Sequence, residues 1–433
     1  MKAGLIDSLS SRGDRVPLRK MVDFLGRRFA IVVFLGYIFL HGFYHRVPVD
    51  SSSPFWRGEN YNIAVSIVQG KGFAHPFPGL ETGPSAYVAP PFPYLLAGVL
   101  WLVGTKTPAA GWLTFFLQCL LFAGTMWLLY TIVKSIFSTT AARLATLIWL
   151  ISPNRIGFTS TFFLSEVGLS TFGILLVILT LIRFNDRSTR KAAALAGIAI
   201  GFAILSLPVM VLALPFFSYA LYEIARRQTD HPLVKPLIAL TLCMAILTPW
   251  TIRNYAVMQR FVFIKSNFGV ILFLGNHDDS DKVLLSPYGS YAERHLIQTM
   301  GEIAYTQYSL QRAKEWIRSH RKEFLVRCVK RGLAFWVANP AIGLKRWIWS
   351  VYQIPLLLSS ALGLWRHWRR SPITNFCFAI LITVPSVYYI TALAEEHRYR
   401  LPLEALLTIF ASAALTPSLP GDREPGPAVL ASI

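Results

Sequence analysis

The sequence predicts an all-α protein that crosses a membrane about ten times, ten to twelve in all, and three observations predict it. Hydrophobic residues make up 54% of the chain and charged residues only 15%, a balance that soluble domains do not keep. Apolar runs near bilayer length recur along most of the 433 residues. These runs do not alternate residue by residue, as the strands of a transmembrane β-barrel would.

The elements follow in order. Residues 1–28 are basic, and no small-residue cleavage site follows the apolar run behind them, so they read as the cytoplasmic start of an uncleaved anchor. Candidate spans are 29–45, 111–133, 139–154, 162–183, 191–206, 208–224, 233–250, 347–365, 371–393 and 401–416. Segment 88–104 is apolar too, but it opens Pro90-Pro91-Phe92-Pro93, which suits an interfacial or re-entrant helix better than a crossing. Loop charge supports that reading. With Arg27 and Arg28 inside, a non-crossing 88–104 puts Arg183, Arg187, Arg190, Lys191, Arg366, Arg369 and Arg370 inside as well. Both termini are then cytoplasmic, and two large outer loops remain, about 46–110 and 251–346. The second holds amphipathic helical spacing in Ile303, Tyr308, Trp316, Ile317, Phe324 and Leu325, which predicts helices lying at the outer surface. Residues 417–433 are rich in Pro and Gly and read as a disordered tail.

The net charge of +20 does not indicate nucleic acid, because much of the excess sits in short loops between apolar runs. Cys119, Cys243, Cys328 and Cys377 show no paired spacing, so neither a disulfide framework nor a zinc site is predicted.

Charges beside hydrocarbon are costly, so the informative groups are those gathered on one face. Four clusters converge on the outer face in this topology. Glu59 opens a short amphipathic stretch, with Ile63, Ala64 and Ile67 read as its membrane-facing side. Glu166 stands at the outer start of a span. "TPWTIRNYAVMQRFVFIKSNFGVILFLGN" leaves the membrane carrying Arg253, Asn254, Lys265, Asn267 and Asn276, with His277 next. "EEHRYRLP" is a charged hinge with His397, Arg398 and Arg400. Plainer readings stand beside these. Glu59 could pair with Arg57 on the surface, Glu166 could complement a helix dipole, and His397 to Arg400 could anchor at headgroup level. His277-Asp278-Asp279 with Asp281 has the look of a hard-metal loop. No second ligand set supports it, so no metal ligand is assigned and a divalent ion remains an open alternative.

The order of short motifs resembles the GT-C superfamily of membrane glycosyltransferases, the group that holds protein O-mannosyltransferases and the aminoarabinose transferase of lipid A. The bacterial mannosyltransferase-like branch is the nearest likeness. The motifs are Glu59, Ile63-Ala64, Gly70-Lys71-Gly72-Phe73, Thr82-Gly83-Pro84-Ser85-Ala86 and Pro90-Pro91-Phe92-Pro93. They continue with "TPWTIRNY", "SNFGVILFLGN", "GEIAY", "RCVKRGLAFW" and "HRYRLP", and the likeness covers residues 30 to 416. The resemblance implies a GT-C-like catalytic domain over 29–416. It implies transfer of a sugar from a polyprenyl-phosphate donor to a glycan, lipid or protein acceptor at the extracytoplasmic face of the inner membrane. It makes Glu59 the candidate base, where most of the superfamily has Asp, with Asp50 upstream as a rival. Glu166 matches the acid that shapes the acceptor or phosphate region, and Arg398 and Arg400 match the late basic motif that holds the lipid phosphate. Arg253, Asn276, His277 and His397 complete the expected substrate-binding set. A flippase for polyprenyl-linked sugars and a non-catalytic subunit of the same fold are the alternatives.

Overall fold

The computed structural model describes residues 56, 58–153, 165–229, 231–280, 285–337, 344–368, 371–391 and 397–416, without the side chains of 344–349 and 397. The first candidate span, Asp50, Arg57, Asp281 and both termini lie outside the described residues.

The chain enters the described region through α1 (Glu59–Val68) and α2 (Pro91–Val103). Next come α3 (Pro108–Ile136), α4 (Thr139–Leu150), α5 (Val167–Asp186) and α6 (Arg190–Ser206). A 3-10 turn (Pro208–Ala213) runs into α7 (Leu214–Ala225), and α8 (Val234–Met258) follows. Four further helices come next: α9 (Phe268–Gly275), α10 (Tyr291–Met300), α11 (Glu302–Ser319) and α12 (Arg321–Trp336). The chain then forms α13 (Leu344–His367), α14 (Pro372–Ile390), a 3-10 turn (His397–Tyr399) and α15 (Leu401–Leu415). Hydroxyl caps start several of these runs. Thr107, Ser138, Thr189 and Ser371 each accept a backbone N–H of the first turn, satisfying a donor that a helix start leaves open.

Among the described residues, five helices are long and apolar enough to cross a membrane: α3, α5, the 208–225 pair, α8 and α14. The other candidate segments form helices that are shorter or more polar. α4 stops after 12 residues, α6 after 17 and α15 after 15, while α13 begins Leu344-Lys345-Arg346. α2 has 13 residues behind its prolines, too few for a full crossing.

Two helices form the centre. α15 is buried continuously from Leu401 to Ser412, and α5 is buried along nearly its whole length. Small residues let their neighbours close in. At Gly197 of α6 a Cβ would fall 2.1 Å from Ala239 O of α8, and at Gly363 of α13 it would fall 2.0 Å from Phe410 O of α15.

Two sequence expectations change here. Ile63 and Ala64 do not face lipid; both are wholly buried, and Ala64 packs in a cluster with Trp56, Tyr61, Phe92 and Leu96. α1 is therefore clamped between protein elements, and Gly70 and Gly72, both at positive φ, turn the chain sharply off its end. In α11 the buried stripe is Tyr305, Ser309, Ala313 and Trp316, while Tyr308 is exposed. The inward face of that helix is more polar than hydrophobic spacing alone predicts.

Candidate active site

The site is built around a lysine that the sequence reading carried only as one member of a polar series. Lys265 lies in the short connection between α8 and α9, and its neighbours are fixed from both sides. Ile264 O accepts Trp250 Nε1 at 3.0 Å and Asn254 Nδ2 at 3.3 Å, both from the "TPWTIRNY" end of α8. On the other side, Ser266 N donates to Ala86 O at 2.9 Å, and Ser266 Oγ donates to Glu302 Oε1 at 2.7 Å. Motifs far apart in sequence thus form one bracket around one residue.

Three more charges converge on Lys265. Glu59 opens α1, Glu166 stands at the N-cap position of α5, and Arg398 sits in the turn before α15. Asn60 ties the first two together, donating from Nδ2 to Glu166 Oε2 at 2.9 Å. Ser165 Oγ donates to the same oxygen at 3.3 Å, and Gln118 Nε2 holds Ser165 O at 2.9 Å. Arg398 lies over the Tyr399 ring at 4.9 Å. An aromatic ladder continues inward from there, Tyr399 on Tyr388 at 4.7 Å and Tyr388 on Phe335 at 5.8 Å.

The environment pushes the two carboxyls in opposite directions. Burial raises Glu59 above the ordinary glutamate range, the nearby Glu166 adds to that, and Arg398 and Lys265 only partly offset it. Burial would raise Glu166 too, but Lys265, Arg398 and the Asn60 hydrogen bond outweigh it and hold the carboxyl below its usual range. Lys265 is itself lowered, chiefly by burial, with the two glutamates working against that shift. Glu59, Glu166 and Lys265 are nonetheless half-buried rather than sealed, so they sit deep among protein atoms and still meet open space. Neighbouring carboxyls of opposed acidity are the arrangement that separates a proton acceptor from a permanent anion.

That space is a cavity of about 310 Å³. Glu166, Lys265, Asn267, Thr391 and Tyr399 supply polar groups, and Leu207, Pro208, Val211, Leu212, Phe268 and Ile271 supply apolar wall. The Ser206 hydroxyl faces the same cavity, buried and without a hydrogen-bond partner among the described residues. Lys265 likewise makes no hydrogen bond or ion pair among the described residues, so its ammonium is available to an incoming anion.

The remaining predicted residues sit elsewhere. Arg253 donates to Ser85 O at 2.6 Å and Phe73 O at 2.7 Å and lies over Trp250, so it braces the first outer loop. Asn276 is buried and ties α9 to the end of α14 through Leu272 O at 2.7 Å and Ile390 O at 2.9 Å. His277 is buried against Phe273, its pKa lowered first by burial and then by Arg312 and Arg327. Asp278 accepts Trp316 Nε1 at 2.7 Å, and among the described residues no cluster of three metal-ligating side chains forms. Arg400 turns inward, donating to Glu404 at 3.0 Å and to Phe335 O at 2.7 Å. The His397 side chain lies outside the described residues, and Arg398 is the cation of the "HRYR" turn that acts on Glu59 and Glu166.

Fold and site together define a helical membrane protein with a charged cluster at the mouth of an apolar cavity, and comparison with known proteins sharpens that class. A family model described as dolichyl-phosphate-mannose-protein mannosyltransferase matches residues 87–252. Among solved structures, the archaeal oligosaccharyltransferase AglB from Archaeoglobus fulgidus, in complex with an inhibitory peptide and a dolichol-phosphate, superposes with a TM-score of 0.53 at 14% identity. The match covers 89% of this chain and 50% of that one. The same oligosaccharyltransferase tethered to an acceptor peptide gives 0.53 at 14%, covering 90% and 50%. ArnT from Cupriavidus metallidurans bound to undecaprenyl phosphate also matches, at 14% identity over 90% of this chain and 77% of that one, but its TM-score of 0.42 is too low to carry an argument. No curated protein matches the chain. The chain spans about half the length of the oligosaccharyltransferases it resembles, and at these identities the likeness establishes the fold. The resemblance to the GT-C superfamily of membrane glycosyltransferases is borne out by the family model and the fold.

Proposed function

We propose that this protein transfers a sugar from a polyprenyl-phosphate donor to an acceptor hydroxyl, with inversion at the anomeric carbon, at the extracytoplasmic face of the inner membrane. The observation that carries the reading is the pairing of one raised and one lowered carboxyl with two cations, in a cluster of which Glu166 and Lys265 line a largely apolar cavity. Glu59 accepts the proton of the acceptor hydroxyl as its oxygen attacks the anomeric carbon. The bond from that carbon to the phosphate oxygen breaks, and the electron pair leaves with the lipid phosphate. Lys265 and Arg398 take up the charge that develops there. Glu166 stays ionised and holds both cations in place. The raised pKa makes Glu59 a stronger base than an exposed glutamate, and burial keeps it so. The apolar wall suits the first isoprene units of the lipid.

The donor class accords with the family model and with the dolichol-phosphate named for the oligosaccharyltransferase neighbour. Sugar and acceptor follow from neither, and both glycan and protein acceptors fit the chemistry. The test is transfer in proteoliposomes supplied with polyprenyl-phosphate sugar on one side only, with products read by mass spectrometry. Glu59→Gln is expected to abolish transfer while leaving undecaprenyl phosphate bound. Full activity in that variant would move the base role to Asp50 or Glu166. Movement of donor across the bilayer with no product would make the protein a carrier.

A further inference from the structure

One buried acid outside the cluster is wired directly into the bracket around Lys265. Glu302 opens α11, directly after Gly301, and is 4% exposed. Its Oε1 accepts two hydrogen bonds, from Ala86 N at 2.9 Å and Ser266 Oγ at 2.7 Å. Ser266 N in turn donates to Ala86 O at 2.9 Å, so a single carboxyl oxygen closes a three-cornered link between the first outer loop, the α8–α9 connection and α11. The corner it fixes is next in sequence to Lys265. Arg253 secures the same loop through Ser85 O, one residue before Ala86.

We infer that Glu302 is a positioning residue that sets the location of Lys265 in the site, without touching substrate itself. The inference rests on the reading of Lys265 as the cation that receives the lipid phosphate. Position matters here because the Lys265 side chain has no partner of its own among the described residues; its place is decided by its backbone. Removing the acceptor would leave Ala86 N and Ser266 Oγ buried and unsatisfied, and the connection would shift to find new partners. Glu302 Oε2 has no hydrogen-bond partner among the described residues, and burial raises the pKa of the carboxyl, so its contribution to the bracket is the acceptor oxygen Oε1. Glutamine supplies the same acceptor at the same reach. Alanine does not.

The experiment labels the full-length protein in neutral detergent with an N-hydroxysuccinimide ester over a pH series and follows Lys265 by peptide mass spectrometry. In the wild type the Lys265 midpoint is expected below the ordinary lysine value of 10.5, because burial disfavours its charge. In Glu302→Ala it is expected to move back toward that value, while Glu302→Gln keeps it low. Ser266→Ala, which removes one of the two bonds, is expected to give a smaller shift in a fold perturbed less. Lys235, bonded to Ser188 Oγ elsewhere in the molecule, is the internal control and should not move. In the same preparations, affinity for undecaprenyl phosphate should fall about tenfold in Glu302→Ala and be unchanged by that substitution in a Lys265→Gln background. An unchanged Lys265 midpoint in both Glu302→Ala and Ser266→Ala overturns the inference, as does Glu302→Gln behaving like Glu302→Ala. Should the wild type neither transfer sugar nor bind the lipid phosphate, the transferase reading fails, and the labelling midpoint still decides the role of Glu302.

Discussion

Two sets of buried charges, both drawn from the acids and bases of this chain, are built on opposite plans. In the first, Arg400 and Glu404 are sealed, 2% and 0% exposed, and bonded to one another at 3.0 Å. Arg400 also donates to Phe335 O, and Glu404 also accepts from Ser152 Oγ at 3.1 Å. In the second, Glu166 and Lys265 line a cavity, Glu59 and Arg398 act on both of them electrostatically, and Asn60 bonds Glu166. The first set links α15, the end of α12 and the end of α4. The second has spare capacity for a ligand. Two arginines two residues apart in "HRYR" therefore do different work, because one points into the helical core and the other acts on Glu59 and Glu166.

That contrast predicts different failures. The largest belongs to the sealed pair. Removing one partner leaves a buried charge without compensation, so Arg400→Ala or Glu404→Ala should cost about 3–5 kcal/mol of stability. The readout is loss of monodisperse protein and a fall in melting temperature. If either variant folds normally and loses only activity, the two regions are not built on different plans. Next comes Glu59→Gln, which should reduce transfer by roughly 10²–10⁴-fold with the melting temperature unchanged. Smaller again is Lys265→Gln, expected to raise the donor KM about tenfold through one lost charge-assisted contact while affecting the acceptor KM little.

The subtlest prediction concerns pH and sharpens the comparison most. Glu59 must be ionised to accept a proton, and its pKa is raised, so the acid limb of kcat/KM should lie above 4.5. Arg398 lowers Glu59 and Glu166 raises it, so substitutions there should move that limb in opposite directions. Arg398→Gln should shift it upward, and Glu166→Gln downward. Equal shifts, or none, would show that the carboxyls are not electrostatically coupled. Stability follows the same signs. Glu166, lowered in the folded state, contributes stability above its unfolded value that is lost as pH falls. Glu59, raised, contributes most below its unfolded value, and that contribution is lost as pH rises through its folded value.

The helices were legible because their signals are local. Apolar runs marked α3, α5, α7, α8 and α14, and Thr107, Ser138, Thr189 and Ser371 mark helix starts that any reader can find. Glu59 and Glu166 were also legible, since an acid beside an apolar run is costly enough to need a reason. Face assignment was not. Ile63 and Ala64 are apolar whether they meet lipid or protein, and a membrane solvent removes the contrast that separates the two. The sequence alone could not separate Arg398 from Arg400 either, because the direction of a side chain in a short turn depends on what packs against it.

What the sequence determined by itself is the class of protein: its composition demands a membrane, its run lengths demand helices, and its motif order resembles one superfamily. What only the tertiary structure decided is the membership of the site. Lys265 is separated by about 200 residues from Glu59 and by more than 100 from Arg398, and no periodicity links positions so far apart. Hydrogen bonds donated by Trp250 and Asn254 and accepted by Ala86 and Glu302 hold the connection on either side of it where those charges meet. Such long-range bonds leave no local trace in a sequence, which is why "TGPSA", "TPWTIRNY" and "GEIAY" were recognisable as motifs before their shared purpose was visible.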